Sequence, residues 1–140
     1  RRAVPEDRGE VFSFCRELNP DFDEEASRRA FLEIIAEETA AVFVAEIEGK
    51  TIGFTELHLL NSLQNPKHAL IRSLFVHPDF RRMGVARALI RSGEEWAVLH
   101  QTGKILVRSR VEREAAEKFY VTDGYSIFKT QNVFRKTLSV

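Results

Sequence analysis

The sequence predicts a mixed α/β protein with helices flanking a central sheet, and three observations lead to this. Hydrophobic residues recur at helical spacing in the first 38 residues, and from residue 41 onward short strand-like runs alternate with helical segments. With 140 residues, of which 44% are hydrophobic and 30% charged, the chain has the length and composition of an ordinary soluble domain. No repeat or low-complexity tract is present, so we expect one domain over residues 1–140.

Local signals give the order of the elements. Pro5 is pre-set for a first helical turn, and Asn19-Pro20 ends the helix that it begins. Acids near Asp23 cap a second helix, Glu48-Gly49 is the turn of a hairpin, and Gly124 ends the last helix. These signals predict four helices (5–18, 23–38, 85–100 and 112–122) and six strands (41–47, 51–60, 69–76, 104–107, 125–129 and 133–138).

Charge and cysteine content exclude several classes of function. Lys plus Arg equals Asp plus Glu, 21 against 21, which removes the electrostatic argument for binding nucleic acid or an anionic membrane. Cys15 is the only cysteine, so the chain has no internal disulfide and no four-thiolate metal site. No apolar run approaches the 18 residues or so of a membrane span. We therefore expect a cytoplasmic protein with no metal, no nucleic-acid partner and no membrane partner.

The segment from Leu74 to Ile90 carries the chemical signal. A buried strand and a Pro-containing turn lead into the small-residue start of a long helix, at Gly84-Val85-Ala86. Unpaired backbone N–H groups and the helix dipole make such a start a site for an anion, and a pyrophosphate is the natural ligand. Many helices begin with small residues and bind nothing, so the pattern of these small residues alone leaves both interpretations open.

The whole segment resembles the acetyl-CoA signature of the GNAT family of N-acetyltransferases. That signature is a strand Leu-x-Val-x-Pro followed by Arg/Gln-x-x-Gly-x-Gly/Ala, which here is Leu74-Phe75-Val76-His77-Pro78 and Arg81-Arg82-Met83-Gly84-Val85-Ala86. The run from Ala115 to Tyr125 is similar to the family's Ala-x-x-Phe-Tyr-x-x-x-Gly-Phe/Tyr element. The last residues are similar to those of many small bacterial members, including some that modify aminoglycosides.

The resemblance implies a fold and a cofactor site. The fold is a central mixed, mostly antiparallel sheet of six to seven strands, splayed at the cofactor cleft and flanked by about four helices. Acetyl-CoA is the co-substrate: a strand edge pairs with its pantetheine arm and polarises its thioester carbonyl, while the loop and helix start hold its pyrophosphate. The residues implied for these contacts are Leu74, Phe75, Val76, Arg81, Arg82, Met83, Gly84, Val85, Ala86 and Arg87.

The resemblance also implies direct attack of a neutral amine, with two groups moving protons. Tyr120 matches the family's acid for the departing thiolate, since a phenol is an accepted general acid, although a Tyr that only packs is the alternative. The general base does not follow the family pattern. Relatives often carry a carboxylate at positions that here hold Arg72-Ser73 and Arg108-Ser109-Arg110. A guanidinium cannot act as a base. Glu56 on the hairpin is our candidate, with a water chain as the alternative. His58 and His77 titrate in a suitable range, but each is more often a surface histidine.

Three functions remain open from the sequence. The first is transfer of an acetyl group to a small-molecule primary amine. The second is acetylation of protein lysines or N-termini, although Arg113 replaces the Asn that is typical of enzymes acting on peptide N-termini. The third is a module that binds CoA without turnover. The acids Asp21, Asp23, Glu24 and Glu25 favour a cationic acceptor, although acids at a helix start also complement its dipole. Arg72, Arg108 and Arg110 would favour an anionic acceptor if they face the cleft, and homodimers are common in the family.

Overall fold

The chain follows the predicted order of elements as far as residue 122, in a computed structural model that describes residues 1–140. Two compact units are present, Arg1–Arg108 and Ser109–Val140. In chain order the elements are α1 (Arg8–Leu18), α2 (Glu24–Ala36), β1 (Ala40–Ile47), β2 (Lys50–Leu60), β3 (His68–Val76), α3 (Val85–Leu99), β4 (Ile105–Val107) and α4 (Glu114–Thr122). Short 3-10 turns occupy Pro5–Asp7 and Pro78–Phe80, so the first predicted helix is a turn followed by α1. None of the helices is long and apolar enough to cross a membrane.

The first unit is built on a four-stranded mixed sheet in the order β1-β2-β3-β4. The hairpin β1–β2 and the pair β2–β3 are antiparallel, while β3 and β4 are parallel. The parallel pair is joined through α3, as a parallel connection requires a crossover. Mixed pairing and four helices agree with the predicted fold class.

An aromatic core covers one face of this sheet. The rings of Phe12 and Phe31, from α1 and α2, meet edge to face with 5.8 Å between centroids. Phe14 of α1 stacks on Phe75 of β3 at 5.1 Å, and also on Phe54 of β2 at 6.2 Å. These rings are all buried, so α1 is fixed against the two strands that carry the candidate site.

The helix α3 covers the other face of the sheet. Glycines at two positions, one on α3 and one on β2, lie very close to the neighbouring strands. A Cβ on Gly93 of α3 would lie 2.7 Å from a methyl carbon of Leu57 on β2. A Cβ on Gly53 of β2 would lie 2.7 Å from the backbone oxygen of Phe75 on β3. Gly53 therefore requires glycine in this packing, because the backbone of Phe75 cannot give way, whereas a Cβ on Gly93 would require the end of the Leu57 side chain to move.

The prediction of six to seven strands is wrong, because the sheet has four. The stretches 125–129 and 133–138 form neither helix nor strand, and the side chains of residues 126–140 are exposed. Their apolar residues follow a spacing typical of strands. A strand also needs a hydrogen-bonded neighbour, however, and no strand pairs with this stretch.

Candidate active site

The parallel pair β3–β4 separates halfway along β3 and leaves a free strand edge. Ala69, Leu70 and Ile71 pair with β4, and no residue of β3 beyond them does so. On its other side β3 stays paired with β2 as far as Val76. Residues 72–76 therefore have no strand partner along one edge, as the predicted splay requires. Leu74, the first of the predicted cofactor contacts, lies within this edge.

A bulge marks the point of separation. Glu56 pairs with Ser73 while Leu57 pairs with Ile71, so Arg72 is the extra residue on β3. Its side chain is exposed. The hydroxyl of Thr55 donates a hydrogen bond of 2.8 Å to the backbone oxygen of Ser73 and holds the strand just beyond the bulge. Bulges often lie at functional sites because they redirect a strand, and this one does so where β4 departs.

The loop after β3 leads to an open helix start at Gly84. Arg82 has φ +62° and Gly84 has φ +81°, both in the left-handed region. No side chain caps α3, and no acidic residue lies in its first turn. A Cβ at Gly84 would have no atom within 4 Å, so the space in front of the helix is open. The N–H groups of Val85 and Ala86, in the first turn, are available to an anion.

Arg81 makes two contacts with the end of β3. Its Nε donates a hydrogen bond of 2.9 Å to the backbone oxygen of Val76, and its guanidinium lies 5.4 Å from the centroid of the Phe75 ring. The side chain thus ties the loop to the end of β3. The exposed side chains of Arg82 and Met83 follow it toward the helix start.

A cavity of about 490 Å³ borders the helix start on the side of β1. Met83, Gly84, Val85 and Ala88 line it, together with residues of β1 such as Phe43. None of its lining residues comes from β3 or β4. The cavity is therefore separate from the free strand edge, although both reach the same loop.

Glu56 and His58 form a close pair on β2. His58 Nε2 lies 2.6 Å from Glu56 Oε1, and each side chain is about a quarter exposed, at 23% and 24%. Residues two apart on a strand share a face, so the alternation along β2 was the signal that could have predicted this pair. Burial raises the pKa of the Cys15 thiol to about 11, with a smaller contribution from the charge of Glu56. Cys15 is therefore a neutral thiol near the pair, as expected for a core residue.

Tyr120 belongs to the second unit, on α4. Its ring packs edge to face against Phe119 and Tyr125, with centroids 5.4 and 5.8 Å away. Desolvation by burial raises the pKa of the phenol, and the charge of Arg113 opposes this. The phenol therefore keeps its proton at neutral pH, which a general acid requires.

The acids at the start of α2 are largely engaged with their own chain. Asp23 accepts a hydrogen bond of 3.1 Å from the backbone N–H of Ala26 and caps the helix. Glu24 lies 2.8 Å from Arg16 and 3.7 Å from Arg28. These contacts give the acids a role in the helix, so they weaken the argument for a cationic acceptor. No cluster of three or more His, Cys, Asp or Glu side chains is arranged to hold a metal ion.

Comparison with known proteins identifies similar sequences and folds. Residues 11–125 match the model of the acetyltransferase (GNAT) family. An uncharacterized N-acetyltransferase of Methanocaldococcus jannaschii is 32% identical over 85 residues, which is 59% of this chain and 38% of that protein. An aminoglycoside N(6')-acetyltransferase type 1 of Stenotrophomonas maltophilia is 26% identical over 99% of this chain and 92% of its own length.

The solved structures include a similar fold. An aminoglycoside N-acetyltransferase in complex with CoA superposes with a TM-score of 0.88 at 21% identity, over 99% of this chain and 93% of that one. At this identity the likeness shows the fold.

Proposed function

The chain belongs to the acetyltransferase (GNAT) family and is an acyltransferase, and we propose that it transfers an acetyl group from acetyl-CoA to a primary amine of a small molecule. The observation that carries the proposal is the free edge at residues 72–76, together with the open, uncapped helix start that follows the next loop of the chain. The relative from Stenotrophomonas maltophilia is named as an aminoglycoside acetyltransferase, and this name supports a small-molecule amine as the acceptor.

The residues present fit acetyl-CoA. The free edge at Leu74, Phe75 and Val76 suits an extended arm that carries amides, because such an arm pairs with an edge like a further strand. The backbone oxygen of Val76 is already bonded to Arg81. The backbone N–H groups of Val85 and Ala86 suit the pyrophosphate, and Arg82 adds charge beside them. Bound acetyl-CoA supplies an acetyl group activated as a thioester.

Two side chains would move the protons. Glu56 remains our candidate for receiving the proton of the acceptor amine, because its partly exposed carboxylate lies opposite Ser73, where the free edge begins. Tyr120 would return a proton to the departing thiolate. Arg81 would position the site by holding the loop against β3.

An assay of thiol release tests the proposal. The protein is incubated with acetyl-CoA and a panel of primary amines, including aminoglycosides and aminoalkyl phosphonates, with matched tertiary amines as controls. We expect thiol release with at least one primary amine and a product heavier by one acetyl group. Binding of CoA without transfer to any amine would show a binding module. Acetylated lysines or N-termini on added peptides, without transfer to small amines, would show a protein acetyltransferase.

A further inference from the structure

The pair of Glu56 and His58 lies on the face of the sheet that packs against α1. Phe14 of α1 stacks on Phe54 and on Phe75, which pair directly across β2 and β3. Glu56 comes two residues after Phe54 on the same strand, so its side chain is on the same face as these rings. The rings are buried, whereas the two polar side chains are each about a quarter exposed. The pair therefore continues the α1 face beyond the aromatic core and remains accessible from solvent.

Within the pair, Glu56 is the member nearer to the free edge at residues 72–76. It pairs with Ser73, and the bulge follows immediately after this position. His58 pairs with Leu70, in the stretch of β3 that β4 still covers. The two side chains thus follow one another along β2, with the carboxylate residue at the start of the free edge and the imidazole residue behind it.

The hydrogen bond between the two side chains has one possible direction. His58 Nε2 lies 2.6 Å from Glu56 Oε1. An ionised carboxylate only accepts hydrogen bonds, so Nε2 carries a hydrogen and donates it. The bond occupies Oε1, leaves Oε2 for another donor and restricts the rotation of a flexible side chain. A carboxylate held in this way is oriented in advance, as a general base has to be.

We propose that His58 is a positioning residue for Glu56, and that its Nε2–H holds Oε1 so that Oε2 receives the proton of the acceptor amine. This inference rests on the proposed function. In the step concerned, the amine nitrogen forms a bond to the acetyl carbon, the carbon–sulfur bond breaks with its electron pair on sulfur, and one proton passes from the nitrogen to Oε2. The carboxylic acid then returns this proton to water, since the Glu56 side chain is partly exposed. His58 neither gains nor loses a proton.

A matched pair of variants separates the hydrogen bond from packing. His58→Met and His58→Gln place side chains of similar length at this position, and only the glutamine has an N–H donor. His58→Met should lower kcat for a verified amine by about 10- to 100-fold, as expected for a misplaced catalytic group, with the dissociation constant of CoA unchanged. His58→Gln should keep most of the wild-type rate. His100→Ala removes an imidazole at the end of α3 and is the control, with kcat unchanged.

A double-mutant cycle tests whether His58 acts through Glu56. Glu56→Gln should lower kcat by about 10²-fold or more, and His58→Met should then have no further effect. Losses that multiply in the double variant would overturn the inference, and so would full kcat in either single variant of an active enzyme. A wild type that acetylates no amine overturns the proposed function together with the inference, so the two failures are distinguishable.

Nitrogen-15 NMR of the imidazole ring tests the hydrogen bond without substrate. We expect Nε2 of His58 to carry its hydrogen in the wild type at pH 8, and Glu56→Ala to release the ring to both tautomers. An Nε2 that lacks its hydrogen in the wild type would overturn the inference, whatever the kinetics of the variants, because the ring could not then donate to the carboxylate.

Discussion

Replacing Gly84 with aspartate should strongly weaken the binding of CoA while leaving the protein folded. Gly84 has φ +81°, and a Cβ there would meet no atom within 4 Å. The substitution therefore introduces no clash, and its cost to stability is that of a left-handed backbone, about 1 kcal/mol. The new carboxylate would stand in front of the helix start, where we place the pyrophosphate.

The expected loss of affinity follows from the repulsion between like charges. At an effective dielectric constant of about 20, a carboxylate about 5 Å from one phosphate charge costs about 3 kcal/mol. That energy is about a hundredfold in the dissociation constant. Gly84→Ala adds a methyl group without charge, so it should weaken binding far less than Gly84→Asp.

Calorimetric titration with CoA measures the effect, and Gly49 supplies a matched control. Gly49 has φ +79°, and a Cβ there would also meet no atom within 4 Å, but this residue lies in the turn between β1 and β2. Gly49→Asp should therefore lose as much stability as Gly84→Asp and keep its affinity for CoA. Equal affinity in the two aspartate variants would show that the pyrophosphate does not bind at the start of α3.

Three further predictions concern catalysis, packing and pH. Tyr120→Phe should lower kcat by about 10²-fold with little change in the dissociation constant of CoA, and full activity on a verified amine would make Tyr120 structural. Gly53→Ala should lower the free energy of unfolding by about 1–3 kcal/mol in urea, because its Cβ meets the backbone of Phe75 on the next strand. Gly103→Ala is the control: its Cβ would have no atom within 4 Å, so this variant should change the free energy of unfolding little. Hydrogen bonds from Arg1 hold the pKa of Asp7 below its usual range, so Asp7 stabilises the fold above about pH 4 and this contribution is lost as the pH falls. Asp7→Asn should lower the melting temperature at neutral pH and make it less dependent on pH between about 5 and 2, and an unchanged dependence would contradict this role.

The elements that the sequence predicted well are those with strong local signals. The start of α3 at Val85 was predicted to the residue, because a strand, a proline turn and a glycine follow one another in a few residues. The end of α1 at Leu18 was equally clear, since Asn19-Pro20 cannot continue a helix.

The features that the sequence did not predict depend on contacts between distant residues. The bulge at Arg72 arises from the register of two strands, and no local pattern specifies which residue is left unpaired. The attachment of Arg81 to Val76 likewise depends on how the loop folds back, so the sequence indicated this side chain only as a cofactor contact. The two C-terminal strands were predicted from alternation alone, which says nothing of whether a neighbouring strand exists.

The protonated state of Cys15 has a practical consequence for measuring the enzyme. With a pKa of about 11, only about one thiol in a thousand is ionised at pH 8, and thiol reagents react with the thiolate. The protein's own sulfur should therefore contribute little colour to a disulfide-exchange readout of released CoA. Alkylating agents should leave Cys15 unmodified for as long as α1 stays packed on the sheet. Labelling of this residue would then report local opening of α1, at the face of the sheet that carries Glu56 and His58.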